Sequence, residues 1–212
     1  MIKLEIWDRK MEIYIVRHGE TVWNKEKRLQ GRTDVPLSEY GRELAEKTGR
    51  ALRNVEIDRI YSSPLDRAYQ TALLIRGNRE IEIRKDERIL ELNFGGYEGQ
   101  TVEELEKNNT ITFRYFFSHP ELYQPDKTGE SLEQICSRAE DFMKHEIEPM
   151  QKIWERVMIV AHGAMNKALM SYIKGNEIKD FWSGGLQKNC NVIMVDLKQG
   201  QYHIINEVNT FY

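Results

Sequence analysis

The chain has 212 residues, a formal net charge of -3 and 31% charged residues, with no basic run. That length suits one α/β domain with a substantial core, and the charge leaves out the electrostatic footprint of a nucleic-acid binder. Two cysteines, Cys136 and Cys190, follow no metal or redox spacing, which predicts free thiols, and nowhere do 18 apolar residues run together as a membrane span requires. Residues 1–10 carry too many charges for the apolar part of a secretory signal. We expect them to be a short N-terminal extension, dispensable for chemistry, ahead of a single domain over residues 11–212. The expected setting is cytoplasmic, with no membrane partner.

Ile13-Tyr14-Ile15-Val16 is a continuous apolar run rich in β-branching, which predicts a strand covered on both faces. It stops at Arg17-His18-Gly19. In open parallel sheets ligands bind beyond the carboxyl ends of such strands. Arg17 offers a planar fork of donors suited to phosphate or carboxylate, and Gly19 lets a ligand approach the backbone. Taken alone, the tripeptide also fits a strand that ends in solvated polar residues.

Residues 22–37 show no sustained period and read as a long loop. Ser38 then opens a helix with Leu44, Ala45, Thr48, Ala51 and Leu52 on one face. A strand over 57–63 leads into Ser63-Pro64, an N-cap followed by proline at the first helical position, and Leu65, Ala68, Ala72 and Ile75 line the next helix. Arg67 falls in its first turn, where the helix dipole also favours anions. It either faces the same ligand as Arg17 or pairs at the surface with Asp66 or Glu87. An edge strand is expected over 81–84.

Glu91, between Leu90 and Leu92 and ahead of a Gly-rich stretch, is a candidate general acid. An extended segment with Glu91 facing solvent is the alternative. Thr101 to Glu104 has capping-box spacing, and the aromatic stretch 113–123 is either a lid over the site or packing of an inserted helical segment. A helix beginning at Glu130-Ser131 continues through Met143 and is interrupted by Pro149. Val157 to Ala161 followed by His162-Gly163 then repeats the opening pattern, a buried strand ending in His-Gly. Such strands can bring His18 and His162 together, whereas His119, His145 and His203 have no comparable context. A helix from 166 to 173 follows, and a hairpin turning at Gln199-Gly200 closes the chain.

Two histidines and a glutamate have the chemistry of zinc ligands. No His-x-His or His-Glu-x-x-His spacing occurs, however, and two arginines beside them would repel a cation, so no metal is expected. Phosphoryl transfer fits better, because it needs charge neutralisation of a tetrahedral anion, a nucleophile and a proton donor.

Five blocks in order carry a resemblance: Arg17-His18-Gly19-Glu20-Thr21 with Trp23-Asn24; Leu29-Gln30-Gly31-Arg32 with Asp34 and Pro36-Leu37; Ser62-Ser63-Pro64-Leu65-Asp66-Arg67-Ala68-Tyr69-Gln70-Thr71-Ala72; Glu91 with Gly95 and Tyr97-Glu98-Gly99; and Ala161-His162-Gly163. Together, over roughly residues 11–200, they resemble the histidine phosphatase superfamily in its phosphoglycerate mutase-like branch. The resemblance implies a three-layer α/β/α sandwich with a mostly parallel central sheet, to which the aromatic stretch would add a small helical lid. It implies that His18 is the nucleophile that becomes phosphohistidine, that Arg17, Arg67 and His162 bind the phosphoryl group, and that Glu91 donates the proton. Asn24 matches a phosphate-contacting position, Gln30 and Gly31 border the substrate, and Gly163 follows the second histidine at the binding site. No cofactor is required, and the expected partner is a small phosphorylated metabolite; oligomeric state is left open. Two guanidinium groups near His18 are expected to hold it neutral.

Resemblance to a mutase leads one to expect extra basic residues after the acid, yet residues 92–100 contain no Lys or Arg and do contain Glu98. That favours a phosphatase for small phosphomonoesters over mutase-type transfer. A non-enzymatic protein that only binds phosphoesters is the reading of another class, and loss of His18 or Glu91 would have favoured it.

Overall fold

A computed structural model describes residues 9–107 and 111–212, so most of the predicted N-terminal extension lies outside the described residues. The first strand, β1 (Lys10–Arg17), already takes in Lys10. It is followed by α1 (Val22–Lys25), α2 (Glu39–Ala51), β2 (Arg59–Ser62), α3 (Asp66–Arg76) and β3 (Ile83–Lys85). Then come α4 (Val102–Lys107), α5 (Ile111–Ser118), α6 (Leu132–Phe142), β4 (Arg156–Ala161), α7 (Gly163–Lys174), β5 (Val192–Lys198) and β6 (Gln201–Asn209). The six strands form one sheet in the order β3-β2-β4-β1-β5-β6. The pairs β3/β2, β2/β4 and β4/β1 are parallel, while β5 runs against both β1 and β6.

The apolar runs of β1 and β4 are explained by helices on both faces. Side chains alternate along a strand, so Met11, Ile13 and Ile15 point to one face with Val157, Ile159 and Ala161, and pack on α6 and α7. Tyr14 and Val16 point to the other with Met158 and Val160, and pack on Ala68, Ala72 and Ile75 of α3 and Leu52 beyond α2. Each fully buried Ile or Val contributes about 1.5–3 kcal/mol, so the three-layer arrangement is the one in which none of these runs is left in water. The insertion α4–α5 brings Phe113 and Phe116 onto Phe94 and Tyr123 at the end of the core.

Several boundaries differ from the expected ones for physical reasons. Residues 22–37 contain a single helical turn, α1, closed by a capping box in which Thr21 and Asn24 bond each other's backbone N–H. The strand predicted over 81–84 is shifted two residues later at its start and one at its end, to β3, and that over 57–63 is confined to β2. Ser63 does not cap α3: the helix starts at Asp66, whose N–H donates to the Asp34 carboxylate at 2.9 and 3.0 Å, leaving the Ser63 hydroxyl for another partner. The last predicted helix starts three residues early, at Gly163, so that His162 is its N-cap. The closing hairpin turns where expected, with φ of 54° at Gln199 and 74° at Gly200, both positive as a type I′ turn demands.

Candidate active site

The carboxyl ends of β1, β2 and β4 lie side by side, and each delivers one part of the site. Arg17 pairs with Ala161 across β1 and β4, and the His18 N–H donates to the Ala161 carbonyl at 3.0 Å. His18 and His162 therefore leave adjacent parallel strands at one level, with ring centroids 5.2 Å apart, 3% and 0% exposed. The other three histidines are exposed.

Nδ1 of His18 lies 2.7 Å from the Gly19 carbonyl oxygen. A carbonyl only accepts, so Nδ1 carries the proton and Nε2 of the neutral ring keeps its lone pair. Burial first, then the Arg67 and Arg17 charges, hold His18 well below the ordinary histidine value of 6.5, against the opposing pull of the Gly19 bond. His18 is thus an uncharged nucleophile with one defined attacking atom. His162 is held neutral in the same way, by burial and then by Arg67. Its Nε2 lies 2.7 Å from the Ser63 hydroxyl, which also accepts the Leu65 N–H at 3.4 Å. With Ser63 donating to Nε2, the ring proton resides on Nδ1.

Arg67 is 0% exposed, which rules out the surface pairing; its two terminal nitrogens donate to the carbonyls of Gly31 at 2.6 Å and Thr33 at 2.8 Å. Arg17 donates to the Gln187 carbonyl at 2.6 Å. Among the described residues, Nε of Arg17, Nε of Arg67 and Nδ1 of His162 are buried with no hydrogen-bond partner. A buried donor left unpaired costs about 1–3 kcal/mol, and more when charged. Three such donors around the His18 ring call for an oxyanion that supplies acceptors to all of them.

Glu91 faces inward, 9% exposed, not toward solvent. Oε1 accepts the N–H of Leu92 at 2.9 Å and of Met165 at 3.0 Å, and Oε2 accepts that of Ala164 at 3.2 Å, so the carboxylate sits on the first turn of α7. It is also the leading counter-charge to both Arg17 and Arg67, opposing the effect of their burial. These side chains open onto a cavity of about 330 Å³ walled by Leu29, Phe94, Val102, Phe116, Phe117, Trp182 and Leu186. Phe116 and Phe117 each lie 5.1 Å from the Trp182 ring, so the aromatic insertion both packs on the core and roofs the cavity.

Asn24, Gln30, Gly31 and Gly163 all line this cavity. The Asn24 Oδ1 accepts from Thr21 and Asn189, which leaves its NH2 group to the cavity; Gln30 is tied to the Thr21 hydroxyl at 2.9 Å. Sequence reasoning missed Asn189, which holds the His18 carbonyl at 2.9 Å, and Gln187, whose main-chain oxygen holds Arg17. It also missed Arg138 on α6, which ion-pairs with Glu130 at 2.7 Å and donates to the carbonyls of Arg88 and Leu90, clamping the segment that carries Glu91. A lone arginine among the apolar positions of an amphipathic helix was the available signal. Among the described residues no three His, Cys, Asp or Glu side chains are grouped to hold a metal ion, and no helix is long and apolar enough to cross a membrane.

His18 attacks only when unprotonated, so kcat/KM falls as pH drops through its pKa, and the acid limb is expected well below pH 6.5. Arg67→Ala removes one of the charges that depress that value. The limb should move up toward the ordinary histidine range while kcat/KM drops at least about 10²-fold, the scale for an electrostatic donor. A pH–rate profile of the variant with an unmoved limb would contradict the electrostatic coupling.

The family model for the histidine phosphatase superfamily, branch 1, matches residues 13–210. Phosphoserine phosphatase 1 of Hydrogenobacter thermophilus is 34% identical over 176 residues, 82% of each chain. Phosphoglycerate mutase-like protein 4 of Arabidopsis thaliana is 32% identical over 160 residues, covering 74% of this chain and 69% of that one. The solved structure of YhfR from Bacillus stearothermophilus superposes with a TM-score of 0.85 at 35% identity, over 95% of this chain and all of that one. The matched model spans both histidines, both arginines and Glu91, and the chain belongs to the histidine phosphatase superfamily, branch 1.

Proposed function

We propose that the chain is a phosphatase that hydrolyses small phosphomonoesters through a phosphohistidine at His18. The observation that carries this reading is the lone pair on His18 Nε2 beside three buried N–H donors with no acceptor among the described residues. A phosphoryl group placed there accepts from Arg17, Arg67 and His162, and its phosphorus faces Nε2. As the P–O bond of the ester breaks and the P–N bond forms, a protonated Glu91 gives its proton to the departing oxygen. The three amide donors on Glu91 then face the carboxylate that remains. Water attacks the phosphohistidine, Glu91 takes one of its protons, and phosphate leaves, restoring both groups. Two guanidinium groups neutralise the transferring charge, which is the task a metal performs in other phosphoryl-transfer sites.

The cavity wall supports a choice among alcohols. Seven apolar side chains surround the space beyond the phosphoryl position, which favours an ester with an apolar or aromatic body over phosphoserine or phosphoglycerate. Lys27, on the same wall and in no ion pair among the described residues, can meet one further anionic group, and this is what keeps mutase-type transfer as the second reading. Two unpaired cysteines support the cytoplasmic setting.

A panel of phosphomonoesters assayed for phosphate release should give phenyl phosphate a higher kcat/KM than phosphoserine, with no isomerised 3-phosphoglycerate formed. Trp182→Ala should raise KM for phenyl phosphate at least about fivefold while leaving glycerol phosphate within about twofold, the scale of losing one aromatic contact. Equal selectivity in the two proteins would sink the assignment of the wall, and isomerisation faster than release would favour the mutase.

A further inference from the structure

Glu98 stands seven residues beyond the proposed acid, yet its carboxylate turns away from the cavity and reaches the loop after α1. Oε1 accepts the N–H of Arg32 at 2.9 Å and of Phe94 at 3.2 Å; Oε2 accepts the N–H of Thr33 at 2.9 Å and the Thr33 hydroxyl. The Arg32 N–H and the Gly31 carbonyl belong to one trans peptide and point opposite ways, so holding that amide on one side directs the Gly31 carbonyl to the other, while the Thr33 N–H and hydroxyl contacts hold the residue that bears the second carbonyl. Those are the two oxygens that receive the terminal nitrogens of Arg67, at 2.6 and 2.8 Å. Gly31 has φ of +55°, and a Cβ there would lie 1.9 Å from Glu98 Oε1, so the position needs glycine both for its backbone and for the approach of this carboxylate. Two carbonyl contacts fix the plane of a guanidinium, and with it the direction of the remaining Nε–H. In Arg67 that Nε is the buried donor with no partner among the described residues.

We propose that Glu98 is a positioning residue for Arg67: by holding the Arg32 amide it turns the Gly31 carbonyl, by holding Thr33 through its N–H and hydroxyl it places the residue whose carbonyl is the second contact, and the two carbonyls orient the guanidinium and aim its Nε–H at the phosphoryl group. Glu98 touches neither substrate nor a reacting atom. The proposal rests on the reading of Arg67 as an oxyanion binder. The effect is through orientation, where a displacement of about 1 Å can cost as much as 10²-fold in rate.

The test is a double-mutant cycle with vanadate, a mimic of the transferring phosphoryl group, whose binding is measured by calorimetry and needs no turnover. Glu98→Gln keeps the size of the side chain but places an NH2 group against an amide that now donates. In the native background it should weaken vanadate binding about tenfold and lower kcat for phenyl phosphate comparably, with KM changed less than about twofold. In the Arg67→Ala background the same substitution should change vanadate binding less than about twofold, because the group it positions is gone. Thr33→Val, which removes only the hydroxyl contact, should show a smaller loss with the same dependence on Arg67, and serves if Glu98→Gln does not fold. Equal losses in both backgrounds would mean that Glu98 stabilises the loop without positioning Arg67, and no loss in the native background would likewise overturn the proposal. An unaltered protein that binds vanadate but hydrolyses no ester would count against the phosphatase reading alone, and the cycle would still decide the role of Glu98; one that binds no vanadate would overturn both.

Discussion

His18→Ala is expected to abolish covalent labelling by a phosphomonoester and to lower kcat by about 10⁴- to 10⁶-fold, the scale for losing a covalent nucleophile. Brief reaction of the unaltered protein with a labelled ester should leave an acid-labile, base-stable phosphoryl group, the signature of phosphohistidine. The Gly19 carbonyl keeps the proton on Nδ1, so the adduct is expected on Nε2, which phosphorus NMR of the trapped species distinguishes from Nδ1. His162 is the control: it is equally buried, but its Nε2 is engaged by Ser63. His162→Ala should slow labelling by the loss of one oxyanion donor and leave the labelled position unchanged. Label that persists in His18→Ala would remove the nucleophile from its assigned place.

Glu91→Gln is expected to separate substrates by the basicity of their leaving group. An alkyl phosphate expels a strongly basic alkoxide that needs a proton, so phosphoenzyme formation should slow by about 10²- to 10⁴-fold, the range for losing a general acid. The p-nitrophenyl ester expels a stabilised phenolate, and the same step should slow less than about tenfold. Dephosphorylation should also slow, because the carboxylate takes the proton from water, so single-turnover measurements are needed to read the two steps apart. Equal losses on both esters would make Glu91 a structural anchor of α7, a role its three amide contacts make concrete. Glu98 is then a poor replacement acid, since its carboxylate accepts three donors from the loop after α1 and a fourth from the Phe94 N–H.

The amino-acid sequence by itself determined the sheet and its chemistry-bearing ends. The unbroken apolar runs in β1 and β4 report burial on two faces, and helix starts such as Ser38, Thr101 and Ser131 are legible because a cap bonds its own backbone three residues on. His-Gly after each of two buried strands was enough to expect the rings together, since adjacent parallel strands ending at one level leave their next residues side by side.

Only the tertiary structure decided how each of these groups is held. The carbonyls that orient Arg17 and Arg67 belong to Gln187, Gly31 and Thr33, and a main-chain oxygen leaves no mark in the identity of its residue. The N-terminus of α3 is capped by Asp34 from 32 residues away, which freed Ser63 for His162, and no local spacing encodes such a pairing. Glu98 read only as an acidic residue in a stretch without Lys or Arg, and the folded loop then brought the amides of Arg32 and Thr33 to it. Periodicity and capping are properties of a stretch of chain, whereas the direction of a donor in this site depends on backbone groups that only folding brings within reach.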